Sequence, residues 1–179
     1  MNHRIFTVGH STRTIQEFAE LLRAAGADFV VDVRTMPRSR SNPQFNIEAL
    51  VDSLARFQIG YEHVQELGGL RGRQSTGPSP NEGWSNKSFR NYADYALTED
   101  FAAGLARLRS LAERHTPAVI CAEAVWWRCH RRIIADYLLA EGNEVIHILS
   151  ETSMPVAQLT PFAQSADEGR LEYPPADVA

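Results

Sequence analysis

The chain of 179 residues is poor in lysine and cysteine and has no long apolar run. Lys87 is its single lysine, so 17 of the 18 basic residues are arginine. Two cysteines cannot build a disulfide framework, and the seven residues between Cys121 and Cys129 match neither a redox Cys-x-x-Cys nor a zinc-finger spacing. No segment approaches the roughly 20 apolar residues of a membrane span. The start, "MNHRIFTVGHS", lacks the charged-then-apolar layout of a secretory signal, so a cytoplasmic protein with reduced thiols and no membrane partner is expected. Net charge is −4, which removes bulk electrostatics as an argument for nucleic acid.

What is present alternates. Short apolar runs at 4–11, 28–34, 61–64, 117–123 and 143–149 read as strands. Helical spacing runs between them at 12–26, 46–60, 87–115 (broken near Thr98) and 129–142, with Gly26, Gly60 and Gly142 as stops. This pattern predicts an α/β fold. The expected form is a Rossmann-like three-layer sandwich of five mostly parallel strands with helices on both faces. Residues 1–150 are assigned to a single domain. Residues 151–179 are assigned to a C-terminal tail of low regular structure and little core role.

In such sheets ligands bind beyond the carboxyl ends of the strands. Two long loops, 35–45 and 65–86, fall on that edge. Arg13, Arg34, Arg38, Arg40, Arg71, Arg73, Arg128, Arg131 and Arg132 map there too. Arginine grips phosphate or carboxylate through two parallel hydrogen bonds, so the set points to an anionic ligand. His10, Arg34, Arg71, Glu123 and Arg131 are expected to line one pocket.

The densest stretch is "CAEAVWWRCHRR", 121–132. Cys121 ends a strand, and Cys129 and His130 open the next helix, whose N-terminus favours thiolate. Burial and nearby Glu123 oppose it. Cys121 therefore has two readings, a nucleophile or a structural and redox-tuning group, and the second is preferred. A phosphatase loop is disfavoured, because six residues separate Cys121 from Arg128 and none is glycine. Cys129 and His130, as helix neighbours, are expected to point apart, and no metal is assigned. Glu123, His10, Asp32 and Cys121 are the catalytic candidates. Ser11, Arg34, Arg71, Trp126, Trp127, Cys129, His130 and Arg131 are the substrate-binding candidates, with one tryptophan as a stacking platform and the other as packing. No cofactor is specified.

Four segments, "TVGHS", "VDVRTMPRSRSNPQFN", "YEHVQELGGLRGR" and "CAEAVWWRCHRRIIADYL", together resemble the domain of unknown function 488 family. The resemblance runs over about residues 5–149. It carries the family pattern onto Gly9, His10, Ser11, Asp32, Arg34, Pro37, Gly68, Gly69, Cys121, Glu123, Cys129, His130 and Arg131. Some members have an acidic, proline-bearing segment where this chain has "AVWWR". The resemblance implies a cytosolic prokaryotic protein of Rossmann-like fold and supplies no reaction. Two functions stay open. One is an enzyme acting on a phosphate-bearing nucleotide or nucleic-acid-type substrate. The other is a non-catalytic module binding nucleotide or nucleic acid through the same rim.

Overall fold

The computed structural model describes residues 2–176. Five parallel strands form one sheet: β1 (Arg4–Gly9), β2 (Phe29–Asp32), β3 (Gly60–His63), β4 (Pro117–Cys121) and β5 (Glu144–Ile148). Their order across the sheet is β3-β2-β4-β1-β5. Helices α1 (Ile15–Ala25) and α2 (Ile47–Arg56) pack on one face. Helices α3 (Lys87–Tyr95), α4 (Glu99–Ala112) and α5 (Arg131–Ala140) pack on the other. The expected α/β sandwich is therefore what the chain adopts.

Strand alternation divides the interior into two cores. Phe6, Val8, Val30, Ala118 and Ile120 meet Phe18, Leu22, Leu50 and Leu54 of α1 and α2. Ile5, Val31, Val119 and Val145 meet Tyr92, Phe101, Leu108, Ile134 and Leu138 on the opposite side. Both faces are covered, which is why the strands read as apolar runs rather than as alternating ones.

Helix boundaries follow local chemistry. Helix α1 starts three residues later than expected, because Thr14 and Glu17 form a reciprocal capping box. Gly26 ends it with φ 85°, a left-handed conformation suited to glycine. Thr98 caps α4 where the long helical run was expected to break. Two expectations change. Gly60 is not a helix stop: α2 ends at Arg56, and Gly60 begins β3 against the Phe29 ring. Asn46 stands at the start of α2, but its side chain accepts from the Ser39 amide instead of capping.

The tail has a larger core role than its sequence suggested. It runs beside β5, where His147 N donates to Pro155 O and Ala157 N to Val145 O, so it covers an edge that would otherwise expose backbone groups. A short hairpin of β6 (Gln164–Ser165) and β7 (Leu171–Glu172) follows. Leu171 and Tyr173 are then fully buried. The Tyr173 hydroxyl donates to Asp136 Oδ2 at 2.9 Å, and Thr160 N donates to Asp136 Oδ1 at 2.9 Å. The Tyr173 amide donates to Asn81 of the second long loop. A buried carboxylate is tolerated only when its oxygens are satisfied. The tail supplies those partners. Truncating Tyr173→Ala should lower the unfolding free energy by about 3–5 kcal/mol, and Tyr173→Phe by about 1–2 kcal/mol. Urea titration checks both. A change within about 0.5 kcal/mol for the alanine variant, the range of surface substitutions, would show that the tail is dispensable.

Candidate functional site

The carboxyl ends of β1, β2 and β4 meet at two polar clusters, one on each face. On the α1/α2 face Asp32 is fully buried and accepts from Arg34 three ways, through its amide, Nε and Nη2. The Tyr61 hydroxyl also donates to Asp32, at 2.6 Å. His10 lies in the same layer, buried and stacked on Phe45 with ring centroids 4.3 Å apart. Its Nδ1–H donates to Ser11 O, which leaves Nε2 facing Arg34 Nη1 at 3.5 Å. Burial is the main cause that lowers the His10 pKa, so His10 is a neutral acceptor there. Ser11, with φ 50°, is held in a left-handed conformation uncommon outside glycine.

On the other face Cys121 Sγ and Cys129 Sγ are 2.7 Å apart. Arg131 is 1% exposed and donates through Nε to Cys121 Sγ at 3.0 Å and through Nη2 to Glu123 O at 2.6 Å. Among the described residues it has no carboxylate partner. His130 Nδ1 is 3.4 Å from Cys129 Sγ, and its Nε2–H donates to Val33 O at 2.8 Å. That backbone bond fixes the tautomer and leaves Nδ1 free to accept the Cys129 proton. The ring fits because residue 69 is glycine: a Cβ there would come within 2.4 Å of His130 Nδ1.

The two thiols share one charge. Burial pushes the Cys121 thiol up, and its hydrogen bond to Cys129 adds to that. Burial opposes ionisation of Cys129 as well, but the bond from Cys121 and the positive charge of His130 and Arg131 outweigh it, so Cys129 sits well below the ordinary thiol range. The pair titrates as a unit, with ionisation favoured at Cys129 and the Cys121 thiol donating to it.

These sulfurs lie on a cleft of about 500 Å³. Arg34, Arg38, Arg128, Glu123 and His130 contribute its polar lining, and Met36, Leu70, Phe89 and Tyr92 an apolar wall. Of the five residues expected to share one pocket, Arg34 and Glu123 line this cleft. His10 is drawn into the α1/α2 layer and Arg131 beneath Cys121. Arg71 donates to Gly68 O and Gln65 O and lies over the Tyr95 ring, 3.9 Å from its centroid. Arg13 likewise donates to Gly9 O and Leu149 O. The Glu123 side chain is exposed at the rim while its carbonyl abuts Gly9, where any Cβ would clash with it. Trp126 stacks on His147 at 4.3 Å, Trp127 is 44% exposed, and neither lines the cleft. Contrary to the expected divergence, Cys129 and His130 converge. Cys129 precedes α5 in extended conformation (φ −129°, ψ 150°), which turns its side chain back toward the ring. Phe89 and Tyr92 went unremarked in the sequence. Their spacing marks a shared helix face but not which edge of the sheet it overlooks. Among the described residues no three His, Cys, Asp or Glu side chains gather as a metal site.

Behind the thiols a relay runs from Arg131 Nη1 to Thr7 Oγ1, and from the Thr7 hydroxyl to His147 Nδ1 at 2.7 Å. Burial, reinforced by the Arg131 charge, pulls the His147 pKa down to about 4 from 6.5. The unfolded chain therefore takes up this proton first on acidification. The stability it contributes is complete above pH 6.5 and is lost as pH falls toward 4. By pH 4 this loss should reach roughly 2–3 kcal/mol. Urea unfolding midpoints across that range should fall less steeply in His147→Gln than in the parent, and equal slopes would exclude His147 as the source.

The family model described as Domain of unknown function DUF488 matches residues 14–138. A search of curated proteins finds no match, and neither does a search of solved structures. The matched span reaches from the cap of α1 to the last turn of α5 and takes in both polar clusters apart from Thr7, His10, Ser11 and His147. On that match the chain belongs to the DUF488 family.

Proposed function

We propose that the protein is an enzyme that takes a small phosphate-bearing ligand, of nucleotide type, into the cleft above the thiol pair. One observation carries the reading. A single cleft combines exposed guanidinium groups, an aromatic wall and a cysteine–histidine pair with its ring oriented by a backbone carbonyl. Its volume suits a small molecule. Arg128 and Arg38 stand on its walls, and the exposed Arg38–Glu48 pair is easily exchanged for a ligand anion. Phe89 offers an apolar surface for a base or another flat group. Glu123, exposed at the rim, is the acid–base candidate. Cys129, paired with His130, is the nucleophile candidate. Asp32 acts through Arg34, whose direction it fixes, and is a positioning residue. His10 faces Arg34 rather than the cleft and is one too.

Internal use of Arg13, Arg71 and Arg131 favours a small ligand over a long polyanion, which needs a continuous track of free cations. The rival reading, a binding module without chemistry, uses the same walls and differs only in what Glu123 and Cys129 do.

Inorganic phosphate and nucleoside monophosphates should raise the melting temperature, less so at higher salt. Arg128→Ala and Phe89→Ala should each weaken binding by roughly tenfold, about 1.4 kcal/mol. Calorimetric titration measures this. A melting temperature unmoved by phosphate and by every nucleotide tried would overturn the reading. Ligand bound with equal affinity by Glu123→Gln and the parent, and recovered unchanged from both, would favour the module.

A further inference from the structure

We propose that Cys121 and Cys129 are a redox-active pair that a peroxide entering through the cleft converts to an intramolecular disulfide. This chemistry stands apart from the phosphate ligand and needs none.

Three geometric facts carry it. The sulfurs are 2.7 Å apart and must move less than about 1 Å to reach bonding distance. Both line a cleft open to small molecules, although little of either side chain is exposed. A buried guanidinium with no carboxylate partner among the described residues touches Cys121 Sγ, while His130 touches Cys129 Sγ. A buried cation calls for a compensating negative charge, and a thiolate in the pair supplies it. The same positive surroundings stabilise the hydroxide that leaves a peroxide.

The chemistry balances in two steps. Cys129 thiolate attacks one peroxide oxygen, the O–O bond breaks, and hydroxide departs, leaving a sulfenic acid on Cys129. That hydroxide takes the Cys121 proton and becomes water. Cys121 sulfur then attacks Cys129 sulfur: the S–O bond breaks, the S–S bond forms, and a second hydroxide leaves to be neutralised by solvent. Peroxide is reduced by two electrons and the two sulfurs are oxidised by two. A small dithiol restores both thiols by exchange. The disulfide removes the Cys129 thiolate from His130, so any nucleophilic chemistry at the cleft stops while the pair is oxidised.

The test treats the whole chain with equimolar hydrogen peroxide, then denatures it and alkylates free thiols. Expected is joint loss of both thiols in one protein molecule, reversed by dithiothreitol. Cleavage after Arg128 should leave the Cys121 peptide joined to the Cys129 peptide. In Cys121→Ser a dimedone adduct should form on Cys129. In Cys129→Ser the remaining thiol should react about tenfold more slowly, because burial keeps it protonated. Circular dichroism confirms that each variant is folded, and the parent experiment needs no substitution. Cross-links between molecules, sulfinate on either cysteine without a joined peptide, or faster adduct formation on Cys121 than on Cys129 would each overturn the proposal. Phosphate titration of the reduced protein is read separately: a joined peptide without phosphate binding removes only the ligand reading, and the reverse removes only the redox pair.

Discussion

The buried guanidinium of Arg131 is the constraint on which the site depends. It lies at the first turn of α5, the positive end of a helix dipole, where a cation is least welcome. Burial of an unpaired charge costs several kcal/mol. Around it every neighbour is an acceptor: Cys121 sulfur, the Glu123 carbonyl and the Thr7 hydroxyl. The first of these is the thiol that donates to Cys129, where ionisation is favoured, so the negative charge of the pair is held next to the cation. The thiol pair and the arginine thus stabilise each other, and the turn at 123–130 is bent to bring both sulfurs to that cation.

The second polar cluster works by the opposite logic. Asp32 and Arg34 neutralise each other within one strand end, and Tyr61 completes the carboxylate. Tyr61 is held protonated in consequence, because burial and the Asp32 charge both resist phenolate. The two clusters are joined through backbone carbonyls. His130 reaches Val33 O, His63 Nε2–H reaches Arg34 O, and His10 N reaches Cys121 O. The chain after β2 at 33–34, the chain after β1 at His10 and the 121–130 turn therefore form one frame, and Arg34 is the residue that looks from one cluster into the cleft of the other.

The strands were legible because buried parallel strands are continuous apolar runs, as in "FVVDV" and "PAVICA". Their order was not, since crossover helices allow several arrangements of the same runs. The arginine set was visible as composition at one edge. That Arg13 and Arg71 spend their donors on carbonyls of that edge depends on where loops end in space. The thiol–imidazole contact was hidden because the expected helix starts two residues too early: Cys129 is extended, and only from Arg131 does the helix set side-chain directions. The core role of the tail was not legible because its buried residues, Leu171 and Tyr173, alternate over too few positions to show a period.

The strand order has a consequence for how the chain comes to be folded. β1 precedes the other strands in sequence but, among the described residues, pairs only with β4 and β5. During synthesis α1 can cover one of its faces early, but its two edges and the face toward α3–α5 stay without partners until most of these strands and helices have left the ribosome. An early apolar strand that must wait so long is a segment for a chaperone to hold, and its closure is a late, non-local event of the kind that slows folding. The contact of Gly9 with Glu123 thus forms late, and Cys121 at the end of β4 stays open to oxidants in the nascent chain before Arg131 settles beside it.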